Sequence, residues 1–225
     1  MSMEICCIHG REYAVWVPEN RGPFPIAVVC GGDMTEQLPA LAAGHGERIL
    51  ISPKASWERD YTPWPAETPA GREPFSGGGP RFLEELKEAI PVIGEKHPLL
   101  PGRENRAVLG YSLDSFLMTC WTTVYPGACS TTFRGAGGAI TSPPYRETVR
   151  GSVRTTSPSS PAGASLRSCP ARMRRVGENT RQTAEILRLA GRFGEVPLRM
   201  ENGGHFTDIP GRWQTAFCWL DEIQK

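Results

Sequence analysis

Three short apolar runs constrain the fold more than any other feature of this sequence. They cover residues 24–30, 48–51 and 107–109, and the first two end at Gly31-Gly32 and Ser52-Pro53. Continuous apolar runs bounded by turn residues are typical of strands that are buried on both faces of a mostly parallel sheet. The sequence therefore predicts such a sheet at the centre of the protein.

An amphipathic helix is predicted between the second and third runs. Apolar residues recur there at spacings of three and four, with Glu and Lys on the opposite face. The apolar face comprises Phe82, Leu83, Leu86, Ile90 and Ile93. Pro91 is expected to kink or shorten the helix, because proline lacks the N–H that a helix interior needs. Strand, helix and strand in this order indicate α/β architecture.

Further regular elements are predicted on both sides of this unit. We expect a strand at residues 13–17, a helix at 178–192 and a strand at 196–200. One face of a C-terminal helix is marked by Trp213, Phe217 and Leu220. A chain of 225 residues is long enough for one sizeable core. We therefore expect a single α/β domain over the whole chain, with a mostly parallel central sheet flanked by helices.

The middle of the chain departs from this regular pattern. Residues 126–171 are crowded with Ser, Thr, Pro, Arg and Gly, and their only carboxylate is Glu147. Such a composition lacks the apolar residues that a packed strand or helix needs. We expect this segment to be an aberrant or poorly ordered loop.

Composition and charge exclude several classes of function. The net charge of +1 gives no strong attraction to nucleic acids or membrane surfaces. No apolar run is long enough to cross a bilayer. The N-terminus lacks the pattern of a secretory signal, which favours the cytoplasm. The cysteines form no C-x-x-C pair, so no metal site is expected. The sequence leaves the oligomeric state open.

The third apolar run leads directly into a candidate nucleophile. Gly110-Tyr111-Ser112-Leu113-Asp114 is close to the G-x-S-x-G elbow, in which a sharp strand-to-helix turn exposes the serine hydroxyl. Asp114 stands in place of the second glycine. Backbone N–H groups at the start of the following helix are suited to hold an oxyanion. Ser112 is therefore the candidate nucleophile, and the alternative is a serine that only caps a helix.

A histidine and a second loop complete the pattern. In the fold that carries this elbow the chain order is serine, acid, histidine, and His205 satisfies it in the loop after the strand at 196–200. Neutral histidine is a natural base for a serine hydroxyl. One oxyanion N–H is expected from Asp33, in the loop after the run at 24–30, and the other from Leu113. Alternatively, the Gly-Gly-Asp sequence at this loop is simply a turn.

Four motifs together indicate a family. They are RDYTPWP at residues 59–65, SGGG at 76–79, the strand and elbow at 106–113, and GGHFTD at 203–208. With them the chain resembles the bacterial putative-esterase family of the α/β-hydrolase superfamily, which is related to enterochelin esterases and S-formylglutathione hydrolases.

The resemblance covers about residues 1–113 and 171–225 and implies Ser112 as nucleophile and His205 as base, with no cofactor. It lapses between residues 114 and 170, where the family carries its acid. No carboxylate between Ser112 and His205 follows a predicted strand in the required way, so the acid is left unassigned. Our hypothesis is that this stretch is out of frame relative to its ancestor.

Two interpretations of the function remain open. The first is a serine carboxylesterase acting on a small-molecule ester. In this interpretation the aromatic loop at residues 55–79 lines the substrate pocket with Trp57, Tyr61 and Trp64. The same aromatic residues are equally suited to the core. The second is a catalytically impaired relative that binds an ester-like ligand without turnover. A nucleic-acid contact through the arginines of the middle segment is the weakest alternative, because these arginines are dispersed.

Overall fold

The structure, a computed structural model, describes residues 2–67, 73–111, 131–135 and 208–223. All of these residues fall in one compact unit, which spans Met1–Gly135 and Asp208–Lys225. The predicted helix at 178–192 and the predicted strand at 196–200 lie outside the described residues. The expectation of a single domain therefore stays a prediction.

The centre of the described part is a six-stranded sheet with the strand order β1-β2-β4-β3-β7-β8. β1 pairs with β2, and β2 with β4, in antiparallel fashion, whereas β4, β3, β7 and β8 run parallel to one another. In chain order the strands, including a separate two-stranded hairpin, are β1 Ser2–Ile8, β2 Arg11–Val17, β3 Ile26–Cys30, β4 Ile49–Pro53, β5 Pro65–Ala66, β6 Phe75–Ser76, β7 Arg106–Tyr111 and β8 Thr131–Gly135. The predicted mostly parallel sheet is confirmed.

The predicted inner strands are buried as their sequences require. Every residue of β3 and β4 is buried, and five of the six residues of β7 are buried. Val28, Ile51 and Val108 belong to one apolar cluster. This cluster also contains buried residues of β2 and of the helix Gly79–Lys96. Burial of such side chains is the main favourable contribution to folding, at about 1.5–3 kcal/mol each.

The helices are α1 Leu38–Ala42, α2 Trp57–Asp60, α3 Gly79–Lys96 and α4 Ile209–Ile223. The predicted apolar face of α3 is confirmed, because all five of its residues are buried. Pro91 does not shorten this helix, which continues to Lys96. Ile90 and Ile93 are both buried, and this tertiary packing holds the last turn despite the proline. In α4 the predicted face is likewise buried, at Trp213, Phe217 and Leu220.

Three segments differ from their prediction. The N-terminal residues form the edge strand β1, joined to β2 by a tight turn in which His9 and Gly10 have φ values of 51° and 81°. The aromatic loop at 55–79 contains α2 and the β5–β6 hairpin. Within the segment 126–171, β8 pairs in parallel with β7, so this part of the predicted loop is a strand. Pairing with an existing strand edge overrides a weak local signal.

The sheet has a topological switch point between β3 and β7. The chain passes from β3 to β4 on one side of it and later returns to β7 on the other side. In open α/β sheets, ligands bind in the crevice outside the carboxyl ends of the strands at such a point. Cys30 pairs with Gly110 in this register, so the loop that begins at Gly31 and the strand end at Tyr111 lie at the same edge. Among the described residues, no helix combines the length and apolar character needed to cross a membrane.

Candidate active site

The predicted nucleophile and base themselves lie outside the described residues, as does Leu113. Their chain neighbours are described. Tyr111, the last residue of β7, directly precedes Ser112, and Asp208 follows His205 by three residues. The positions of these neighbours and of the loop after β3 define the candidate site.

The loop after β3 depends on its two glycines. Gly32 has a φ of +82°, a conformation that side chains other than glycine rarely adopt. A Cβ atom at Gly31 would lie 2.8 Å from Sδ of Met34, and one at Gly32 would lie 3.2 Å from Nε1 of Trp57. Glycine is therefore required at Gly32 by its backbone conformation, and at Gly31 a larger residue would have to displace the side chain of Met34.

Two successive N–H groups of this loop have different environments. The N–H of Gly32 donates to the hydroxyl of Tyr61, with a donor–acceptor distance of 3.2 Å, in a buried hydrogen bond. The N–H of Asp33 has no acceptor within the described part of the chain. The Asp33 carboxylate is exposed and accepts the N–H of Thr35 at 3.1 Å, and hydrogen bonds from the Thr35 hydroxyl and N–H lower the pKa of Asp33. The N–H of Gly32 is thus hydrogen-bonded, and the N–H of Asp33 next to it has no partner among the described residues.

The start of α4 reaches the same edge of the sheet. Nη1 of Arg212 donates to the hydroxyl of Tyr111 at 3.0 Å. Cζ2 of Trp213 lies 3.7 Å from the position that a Cβ at Gly31 would occupy. Tyr111 of β7, the start of α4 and the loop after β3 therefore lie together at the carboxyl ends of β3 and β7. Nothing in the sequence pattern points to Arg212 as a partner of Tyr111.

The three aromatic residues assigned to a pocket lie at different depths. Tyr61 is fully buried, with 0% exposure, whereas Trp57 and Trp64 are half-buried. The rings of Trp57 and Tyr61 meet edge to face, with their centroids 5.3 Å apart. Tyr61 thus lies behind Trp57 and belongs to the core. The pocket assignment of these residues stays a prediction.

The RDYTPWP segment is held from one side by a buried ion cluster. Arg11 donates to both carboxylate oxygens of Asp60, at 3.3 and 3.1 Å, and to Glu85 at 2.8 Å. The Asp60 carboxylate also accepts the N–H of Ser56 at 2.8 Å and two bonds from Arg59 at 3.2 Å. Burial raises the pKa of Asp60, but these hydrogen bonds outweigh it and hold the pKa below its usual range. Asp60 is therefore a structural anchor of this segment.

From the other side, the segment is clamped by the glycines of the SGGG turn. The N–H of Gly78 donates to the carbonyl of Arg59 at 3.0 Å, and the N–H of Gly79 donates to the carbonyl of Thr62 at 2.8 Å. The N–H of Gly77 donates to the Thr62 hydroxyl at 3.2 Å. A Cβ at Gly78 would lie 2.4 Å from the Arg59 carbonyl oxygen, so only glycine allows this approach. Two of the motifs that carry the family resemblance, RDYTPWP and SGGG, are thus joined by hydrogen bonds.

Comparison with known proteins identifies the fold. The sequence matches no protein-family model and no curated protein. Among solved structures, the siderophore hydrolase EstA from Aspergillus nidulans is similar with a TM-score of 0.74 and 16% identity, over 99% of this chain and 95% of that one. An IroE-like serine hydrolase from Shewanella oneidensis has a TM-score of 0.72 and 17% identity, over 98% and 80%. The BES protein from Bacillus cereus has a TM-score of 0.60 and 13% identity, over 98% and 95%.

These neighbours confirm, at the level of fold, the resemblance to esterases of the α/β-hydrolase superfamily that the sequence motifs predict. Their identities to this chain are all below 20%, so the chemistry of the site is a separate question.

Proposed function

We propose that this protein, an α/β-hydrolase by fold, is a serine hydrolase that cleaves carboxylic esters through an acyl-enzyme on Ser112. The observation that carries the proposal is the convergence of three described segments at the switch point of the sheet. The end of β7 leads to Ser112, the start of α4 follows His205, and the loop after β3 offers the N–H of Asp33. An activated serine needs a nucleophile, a base and an oxyanion donor close together, and the described neighbours of Ser112 and the loop that carries Asp33 lie at one edge of the sheet.

In the proposed reaction the Ser112 hydroxyl attacks the ester carbonyl while His205 takes its proton. The resulting oxyanion is held by the N–H groups of Leu113 and Asp33. When the tetrahedral intermediate collapses, His205 returns the proton to the departing alcohol and an acyl-enzyme forms. A water molecule, deprotonated by His205, then attacks the acyl group, and the carboxylic acid is released with Ser112 restored. Metal and cofactor play no part in these steps.

The substrate proposed for this site is a small-molecule ester with an apolar acyl or aryl group. We assign Trp57 and Trp64 to the walls of its pocket, with Tyr61 behind Trp57. Both tryptophans are half-buried, and the indole of Trp57 lies next to Gly32 of the oxyanion loop. Aromatic walls with a few placed polar groups are typical of small-molecule sites. We propose no nucleic-acid or membrane partner, and a cytoplasmic location.

The test compares the parent protein with Ser112→Ala in hydrolysis of a short-chain p-nitrophenyl ester and in labelling by a fluorophosphonate. We expect the variant to lose at least about 10³-fold in kcat and all labelling, because no other group supplies the nucleophile. Ser52→Ala is the matched control. Ser52 is buried in β4 and its hydroxyl has no hydrogen-bond partner in the described parts of the chain, so its removal is expected to leave activity unchanged.

Two outcomes would contradict the proposal. Labelling of Ser112→Ala at the parent rate would mean that another residue is the nucleophile. A folded parent that neither hydrolyses nor labels would favour the second candidate, an inactive relative that binds an ester-like ligand. That candidate draws on Asp114, which replaces the second glycine of the elbow, and on the unassigned acid, whose absence alone lowers activity by orders of magnitude.

A further inference from the structure

A buried tyrosine contacts the backbone of the oxyanion loop. The hydroxyl of Tyr61 accepts the N–H of Gly32 at 3.2 Å, across 29 positions of sequence. Tyr61 is fully buried, so this hydrogen bond is shielded from water. A hydrogen bond in such an environment is stronger than at the surface, and its loss leaves a buried donor unpaired.

The loop has a specific need for such a contact. It begins with two glycines, which have more backbone freedom than any other residue. Gly32 has a φ of +82°, and the peptide that follows it carries the N–H of Asp33. The bond to the N–H of Gly32 fixes the plane of the Gly31–Gly32 peptide. The next peptide, which carries the Asp33 N–H, is related to that plane only through the φ and ψ angles of Gly32. The direction of the Asp33 N–H is therefore set relative to the plane that Tyr61 holds.

Tyr61 is itself held rigidly. Its ring meets the edges of two neighbours, with centroid distances of 5.3 Å to Trp57 and 5.5 Å to Phe82. The residue before it, Asp60, is bonded to Arg11, and the residue after it, Thr62, is bonded to the SGGG turn. The hydroxyl consequently has little freedom to follow the loop if the loop moves.

We propose that Tyr61 is a positioning residue for the oxyanion site, which holds the Asp33 N–H in its productive direction through the buried bond to the N–H of Gly32. This inference rests on the proposed ester hydrolysis and adds to it the role of the RDYTPWP segment. Tyr61 does not touch the substrate in this proposal. It acts through Gly32, and its contribution is therefore expected in the transition state, where the oxyanion exists, and not in substrate binding.

The test is Tyr61→Phe, with Tyr13→Phe as the matched control. Tyr13 is also fully buried, but its hydroxyl donates to the carbonyl of Glu85 in α3 at 3.3 Å, away from the loop. Each change removes one oxygen atom from a buried ring. We expect Tyr61→Phe to lower kcat by about tenfold or more, since loss of a complete oxyanion donor costs about 10²–10³-fold, with KM within about twofold of the parent. Tyr13→Phe is expected to keep the parent kcat.

A boronic acid inhibitor gives the readout that a general loss of stability would not move. Boronic acids form a tetrahedral adduct on a serine nucleophile, and this adduct places an oxygen where the oxyanion lies. Affinity for the inhibitor is expected to fall in Tyr61→Phe by the same factor as kcat, while KM for the ester stays constant. Equal kcat and equal inhibitor affinity in the two tyrosine variants would overturn the inference, with the proposed function intact.

The remaining outcomes are also decisive. If Tyr61→Phe does not fold, Phe82→Leu takes its place, because it removes a ring that packs on Tyr61 and keeps the hydroxyl. It should give a smaller loss in kcat and in inhibitor affinity, again without a change in KM, and no loss would overturn the inference. If the parent itself neither hydrolyses esters nor labels, the proposed function fails first, and the positioning role falls with it.

Discussion

Two buried arginines tie the sheet to the segments around it, and they differ in how completely they are satisfied. The side chain of Arg11 is 10% exposed and that of Arg48 is 5% exposed. Arg11 donates to two carboxylates and to the carbonyl of Lys54. Arg48 donates to one carboxylate, Asp221, and to the carbonyl of Gly46, and its buried Nη1 has no partner among the described residues. The more buried arginine, Arg48, thus has fewer charged partners than Arg11.

The pKa values of the two guanidinium groups move in opposite directions for this reason. Burial lowers the pKa of Arg11, but the bonds to Asp60 and Glu85 outweigh it and the pKa is raised. For Arg48 burial is the largest influence and the single charge of Asp221 does not offset it, so the pKa is lowered. A buried charge is stabilising only when its hydrogen bonds are complete. The comparison teaches that a buried guanidinium keeps a raised pKa only where enough hydrogen-bonded carboxylates offset its burial.

Each arginine supports a different side of the candidate site. Arg11 holds Asp60, the neighbour of Tyr61 and hence of the oxyanion loop. Arg48 holds Asp221 of α4, the helix that follows the His205 segment. Asp221 also contacts Nδ1 of His45 at 2.9 Å and accepts the N–H of Gly46 at 3.1 Å. Both carboxylates keep other partners if the arginine is removed, but the remaining charged partner of Asp60, Arg59, is 67% exposed.

The largest expected effect comes from Arg11→Met. The change leaves Asp60 buried without its main partner, and breaking a buried pair in this way costs about 3–5 kcal/mol of unfolding free energy. Urea unfolding at pH 7 measures it. Arg81→Met is the control, because Arg81 also bonds Glu85 but is 85% exposed, and it should cost less than about 1 kcal/mol. Equal costs in the two variants would show that the cluster is not an anchor.

A smaller effect is expected in how the difference in unfolding free energy between the parent and Arg11→Met depends on pH. Burial acts to raise the pKa of Asp60 and of Glu85, but hydrogen bonds from Arg11 and a second arginine hold both values below their usual range. Because the folded values are lowered, the stability that these carboxylates contribute is present above about pH 4 and is lost as the pH falls through the folded values.

In Arg11→Met the same carboxylates lose the partner that lowers their pKa, so protonation costs the folded state less. The difference in unfolding free energy between the parent and Arg11→Met should therefore be largest at pH 7 and narrow by more than about 1 kcal/mol near pH 3. Urea unfolding at pH 7, 5 and 3 follows this change. A constant difference over the whole range would mean that lost packing, and not charge, explains the cost.

The smallest effect is expected from Arg48→Met. This change removes one ionic bond but also removes the unpartnered Nη1, and an unsatisfied buried donor costs about 1–3 kcal/mol by itself. The two contributions oppose each other, so the unfolding free energy should stay within about 1 kcal/mol of the parent. Urea unfolding under the conditions used for Arg11→Met gives the comparison. A cost as large as that of Arg11→Met would contradict the role assigned to hydrogen-bond completeness.

The fold was predictable where the signal is local. The run at 24–30 contains β3, and the spacing of Phe82, Leu86 and Ile93 gives the buried face of α3. The edge strand β1 was missed, because Glu4 and the adjacent cysteines interrupt its apolar pattern. Its conformation depends on pairing with β2 across the turn at Gly10. When a strand is stabilised mainly by pairing with its neighbour, its own sequence gives only a weak strand signal.

For the candidate site, the sequence located the segments but not the contacts between them. It pointed to Gly31-Gly32-Asp33 and to the end of the strand before Ser112, and the register of β3 and β7 brings these together. The roles of Ser112, His205 and Leu113 stay predictions. Arg11 and Asp60 are 49 positions apart, and no periodicity or spacing links two residues so distant.

By itself, the sequence determined the α/β class, the inner strands and the apolar faces of α3 and α4, because periodicity follows from the geometry of each element and needs no distant partner. Only the tertiary structure decided that Tyr61 bonds the backbone of Gly32, that Asp60 anchors its own segment, and that Arg48 has one nitrogen without a partner in the described part of the chain. The physical reason is that a buried polar group is stable only with the partner that the fold brings to it, and the identity of that partner is not encoded in its neighbours along the chain.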